Sequence, residues 1–212
     1  MLRLLLIFGM VWLMRAEIVD RIAIVIGQQV ITEQQIDEEI RITALLNRQP
    51  VLRDLPTRRA AAGRLVEQLL VRRDVELSHY PAPSSQEIER YFGQIRDTFG
   101  SSADFAAALS TYNLTEAVLK EHLALQLTTL QFIEYRFRPD ISISEADIEN
   151  YYQRELEAWN ATHPSAQPPT LAASRASIKQ ALMEQRTDET LDNWLQEARR
   201  QVNIVYLDKA LQ

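Results

Sequence analysis

The chain has 212 residues, with 29 acidic and 23 basic residues, and its formal net charge is −6. A negative charge opposes binding to phosphate backbones, and no basic cluster offsets it, so we expect no nucleic-acid partner. Cysteine is absent, which excludes thiol catalysis and cysteine-based metal sites.

The first sixteen residues have the pattern of a secretory leader. Arg3 precedes an apolar core at residues 4–13, and the small residue Ala16 precedes the first acidic one, Glu17. The apolar core is shorter than the roughly 20 residues that cross a bilayer. We therefore predict a signal peptide at residues 1–16 and a periplasmic mature protein. An uncleaved membrane anchor is the alternative, and only in that case would the protein contact a membrane.

A strand and a tight turn open the predicted mature chain. Residues 22–26 are an unbroken run of β-branched and small apolar residues, which is typical of a short buried strand. Gly27 can adopt the positive φ that a tight turn often needs. Thr32, with Gln35 three residues later, predicts a capping box at the start of the first helix.

Helical patterns fill most of the chain after Thr32. Apolar residues recur at spacings of three and four, and proline or serine marks most boundaries. Thr57, Ser84 or Ser85, and Ser144 with Asp147 are the predicted caps. The predicted helices span residues 33–47, 57–78, 86–99, 103–109, 114–137, 144–159 and 171–200.

The C-terminal segment predicts how the chain closes. Residues 202–207 have strand composition, and an isolated strand needs a partner. The only other strand candidates lie near residues 18–31, so we expect the two ends to meet in a small sheet. Residues 17–159 and 171–207 then form one mainly α-helical domain, with a proline-containing linker at residues 160–170.

The order of these segments resembles the N-terminal module of SurA-type periplasmic chaperones. Val19, Asp20, Arg21 and Ile22 resemble the start of that module. Four further segments are similar in type and order: LVEQLLVRRDVE, SSQEIERYF, ISISEADIENYY and the C-terminal SIKQALMEQRTDETLDNWLQEARRQVNIVYL. The resemblance implies an ATP-independent holdase that binds unfolded outer-membrane β-barrel proteins and assists their assembly.

The chain departs from that family at one place. SurA-type proteins carry one or two parvulin domains, of about a hundred residues each, where this chain has only residues 160–170. We therefore expect no isomerase activity. A divergent peptidyl-prolyl isomerase and a membrane-tethered adaptor subunit stay as alternatives.

Titratable residues give no catalytic or metal-binding pattern. His79, His122 and His163 lack metal-ligand spacing, and each is better explained as a surface or helix-packed histidine. Glu145, Asp147 and Glu149 are typical of an acidic helix N-terminus. We predict no catalytic residue, no metal and no cofactor.

Adjacent aromatic residues are the candidates for client binding. Neighbouring helical residues diverge by about 100°, so one ring of an adjacent pair tends to stay partly exposed. Partial burial with a tyrosine hydroxyl in water is the alternative interpretation. The predicted client-binding residues are Tyr91, Phe92, Tyr151, Tyr152 and Trp159.

Overall fold

The computed structural model describes residues 20–163 and 167–212. The predicted leader at residues 1–16 therefore lies outside the described residues. The described part is mainly α-helical with a small antiparallel sheet, which confirms the predicted fold class. In chain order its elements are β1 (Ile22–Ile26), β2 (Gln29–Thr32), α1 (Glu33–Asn47), α2 (Leu55–Ser78), α3 (Ser85–Asp97), α4 (Ser102–Thr111), α5 (Glu116–Arg136), α6 (Glu145–Thr162), α7 (Leu171–Gln201) and β3 (Ile204–Tyr206).

The sheet joins the two ends of the described chain. Its strand order is β2-β1-β3, and both pairs are antiparallel. Ile24 of β1 lies opposite Ile31 of β2 on one side and Tyr206 of β3 on the other. The predicted closure by the C-terminal strand is thus confirmed.

Local signals set most helix starts. The capping box of Thr32 and Gln35 is present, and so is one between Ser144 and Asp147. Ser84, rather than Ser85, caps α3.

Two predicted boundaries differ from the structure. Asp54, not Thr57, caps α2, because its carboxylate accepts a hydrogen bond from the Thr57 backbone. Pro56 lies in the first turn, where its missing N–H costs nothing. Helix α6 continues to Thr162, because no proline occurs within residues 145–163, and the predicted linker is correspondingly shorter.

The main core lies between the sheet and the helices α1, α2 and α7. Ala23 and Ile24 of β1 are fully buried against Ile36, Ala61 and other residues of this cluster. A second cluster joins α1 with α3, α4 and α5, and a third joins α2 with α5 around Phe132. Within the described residues, no helix is long and apolar enough to span a membrane.

Helix α7 belongs to two different packing environments. Its 31 residues extend for about 46 Å. Leu195, near its C-terminal end, packs in the main core. Ile178 and Leu182, in its N-terminal half, instead form a small separate cluster with Ile148 of α6. The α6–α7 hairpin therefore has a core of its own, outside the main core.

Candidate functional site: an aromatic groove between α6 and α7

The structure divides the five predicted client-binding residues between two places. Tyr91 and Phe92 belong to the cluster of α1, α3, α4 and α5. Phe92 is only 4% exposed, and its ring packs edge-to-face on Phe105 with centroids 5.6 Å apart. Its burial removes Phe92 from the candidate contact residues, and Tyr91 is half-buried beside the same cluster.

The other three predicted residues converge on one groove. Tyr152, Leu156 and Trp159 follow one another at spacings of four and three, so they share a face of α6. Tyr151 flanks them. The groove encloses about 310 Å³ and also contacts the chain that leads into α7, at Pro168 and Pro169.

Small residues of α7 keep the groove open. Ser174, Ser177 and Ala181 line it opposite the large rings of α6, and Ile178 also lines it while it packs in the cluster with Ile148. Because serine and alanine side chains are short, they leave space between the two helices. The groove is therefore a cleft with aromatic residues along one wall and small residues along the other.

Two polar atoms of the aromatic wall differ in their hydrogen bonding. The Tyr152 hydroxyl donates to the Pro169 carbonyl at 2.8 Å. The Trp159 Nε1 is buried and has no hydrogen-bond partner among the described residues. The Trp159 ring stacks on His163, with centroids 4.2 Å apart. A buried indole N–H usually finds an acceptor, so the missing partner is unusual.

A second cavity, of about 430 Å³, lies between α1, α2, α5 and α7. It contains Glu39, which is 3% exposed although it is charged. Arg64 of α2 donates through Nε to Glu39 Oε1 at 2.6 Å. His122 of α5 approaches Oε2, with Nδ1 3.1 Å away, but the contact lacks the alignment of a hydrogen bond.

The environment of Glu39 favours its ionised form. Burial raises the pKa of Glu39, but the contacts with His122 and Arg64 outweigh that effect. The pKa therefore lies below its ordinary value of 4.5. We interpret the three residues as a structural network that connects α1, α2 and α5.

The burial of Glu39 as a charged residue was not predicted from the sequence. Of the three residues in this network, only His122 was discussed there. Helical spacing held a usable signal, because Glu39 lies three residues after Ile36 and three before Ile42, both buried. A carboxylate on the buried face of a helix needs partners from other helices. Within residues 20–163 and 167–212, no group of three or more acidic or histidine side chains could hold a metal ion.

No protein-family model matches the chain, and no curated protein matches it significantly.

Proposed function

We propose that this chain is an exported, ATP-independent chaperone that binds unfolded outer-membrane β-barrel proteins. The leader-like residues 1–16 and the resemblance to SurA-type chaperones support this function. The observation that carries it is the convergence of Tyr151, Tyr152 and Trp159 on one cleft outside the main core.

The chemistry of the groove suits loose binding of unfolded chains. Aromatic rings offer a large apolar contact area and lose little side-chain entropy when they bind. The opposite wall of small residues does not demand one particular side chain. A holdase needs this combination, because it must accept many apolar segments and release them without nucleotide hydrolysis.

A light-scattering assay tests the proposal. An outer-membrane β-barrel protein is diluted from urea with equimolar full-length chain, and its aggregation is followed. We expect aggregation to be slowed by the native chain and much less by Trp159→Ala. Tyr135→Ala is the matched control, because Tyr135 is an aromatic residue of α5 that is 51% exposed and lies outside the groove.

Two outcomes would count against the proposal. If the native chain fails to slow aggregation, the chaperone function is rejected. If Trp159→Ala and Tyr135→Ala lower the effect equally, the groove is not the contact surface. Thermal unfolding of both variants shows whether either has lost its fold.

N-terminal sequencing of the exported protein distinguishes a cleaved leader from an uncleaved membrane anchor.

A further inference from the structure

A proline segment of the same chain forms part of the groove lining. Pro168 and Pro169 line the groove together with Tyr151, Tyr152 and Trp159. The Tyr152 hydroxyl donates to the carbonyl of Pro169 at 2.8 Å. Aromatic-lined grooves are a common way of binding polyproline II segments.

We propose that the free part of this groove binds extended, proline-containing segments of unfolded chains. The inference rests on the proposed function and names the class of segment that the chaperone prefers. The Pro168–Pro169 segment lines the same groove and accepts a hydrogen bond from its aromatic wall, and the groove leaves about 310 Å³ free for an incoming chain. That volume suits a short peptide stretch, because ligand pockets start at about 300 Å³.

The hydrogen-bonding pattern supports a polyproline II ligand. Such a segment has no internal hydrogen bonds, so its carbonyl groups are available as acceptors. One donor beside the groove, the Trp159 Nε1, is buried and has no partner among the described residues. Leaving a buried N–H unpaired is costly, and a carbonyl that reached it would remove that cost.

The position of Trp159 makes such contact feasible. Its Nε1 is covered in the free groove, so an incoming carbonyl needs a local adjustment of the chain. Trp159 lies in the last turn of α6, and helix ends open more readily than helix interiors.

Proline also restricts the free peptide to extended conformations, which lowers the entropy lost on binding.

Fluorescence polarisation of labelled peptides tests the inference on the full-length chain. The probe is a nine-residue peptide of repeated Ala-Pro-Pro, and the control peptide has Gly in place of each Pro. We expect the proline peptide to bind at least about tenfold more tightly, because its polyproline II conformation is preformed.

Substitutions at Trp159 separate the ring from its N–H. Trp159→Phe keeps an aromatic ring and removes the donor, so we expect affinity for the proline peptide to fall about two- to tenfold. Trp159→Ala should weaken it further. Tyr135→Phe, on the exposed tyrosine of α5, is the matched control and should leave the affinity unchanged.

The outcomes distinguish this inference from the proposed function. Equal binding of the two peptides, or an unchanged affinity in Trp159→Phe, would overturn the inference. If the aggregation assay still depends on Trp159, the chaperone function stands without the proline preference. If the proline peptide binds and aggregation is not slowed, the groove is a proline site and the chaperone function fails.

Discussion

Arg64 and Glu39 connect two helices through a hydrogen bond of 2.6 Å between Arg64 Nε and Glu39 Oε1. Glu39 lies almost completely inside the protein, whereas the Arg64 side chain is 39% exposed. The arginine therefore reaches inward from the surface to a buried carboxylate. Breaking such a contact leaves a buried charge with fewer partners, and this cost exceeds the value of an exposed ion pair.

Replacing Arg64 with methionine should lower the free energy of unfolding by about 1–3 kcal/mol, the usual cost of depriving a buried polar group of its partner. Urea denaturation measures the change. Arg200→Met is the matched control, because Arg200 pairs with Glu197 and both side chains are more than half exposed. Its effect should stay below about 1 kcal/mol. If both variants lost the same free energy of unfolding, the contact of Arg64 with the buried Glu39 would contribute no more than an exposed ion pair.

Glu39 should also contribute to the acid sensitivity of the fold. Its pKa is lower in the folded protein than its ordinary value of 4.5, so the folded state favours the carboxylate. This stabilisation is fully present at pH values above the pKa of Glu39 in the unfolded chain. It is lost as the pH falls through the lower pKa of Glu39 in the folded protein. We expect Glu39→Gln to be less stable than the native chain at pH 7, and the difference to narrow below about pH 4.5.

Urea denaturation of both proteins between pH 7 and pH 3 measures that difference. Comparison of the two proteins is necessary because four other carboxyl groups also have lowered pKa values, those of Asp37, Asp54, Glu87 and Asp147. These groups make both proteins less stable in acid. A difference that is independent of pH would mean that Glu39 acts through packing and not through its charge.

Two isoleucines of β1 provide a test of the sheet. Ile24 is fully buried in the centre of the sheet, whereas Ile22 is 41% exposed. Ile24→Ala should cost about 2–5 kcal/mol, because it removes core contacts and leaves a cavity. Ile22→Ala should cost less than about 1 kcal/mol. Thermal unfolding of both variants measures the contrast, and similar losses would argue against this strand orientation.

Replacing Gly27 and Gly63 with alanine should change the stability of the protein in opposite directions. Gly27 has φ +57°, where a side chain is strained, so Gly27→Ala should lower stability by about 1–2 kcal/mol. Gly63 lies within α2 with open space around it, so Gly63→Ala should raise stability by about 0.5–1 kcal/mol. Denaturation midpoints report both changes. A stabilising Gly27→Ala would refute the left-handed turn.

Binding of proline segments should occur without isomerisation. A protease-coupled assay on a proline-containing peptide should show only the uncatalysed rate of prolyl isomerisation. The SurA-type family that the sequence resembles has parvulin domains where this chain has only residues 160–170. Free parvulin, added at the same concentration, is the positive control. A rate above background that Trp159→Ala abolishes would instead support the alternative of a divergent isomerase.

Much of the fold was predictable because its signals are local. A capping box such as Thr32 with Gln35 or Ser144 with Asp147 spans only three residues, so its geometry follows from the sequence alone. The closure of the sheet was also predictable, because an isolated strand needs a partner and few candidates existed. The length of α6 was predicted less well, since the end of a helix often depends on weak signals.

The tertiary structure decided which side chains are available for chemistry. Tyr91 and Phe92 are adjacent aromatic residues of α3, and the sequence does not show which of the two is buried. The packing of α3 against α4 and α5 buries Phe92. The meeting of Glu39 with His122, and of Tyr152 with Pro169, likewise depends on how helices distant in sequence lie together. Helical periodicity shows which residues share a face, but only the contacts between helices determine which face is covered.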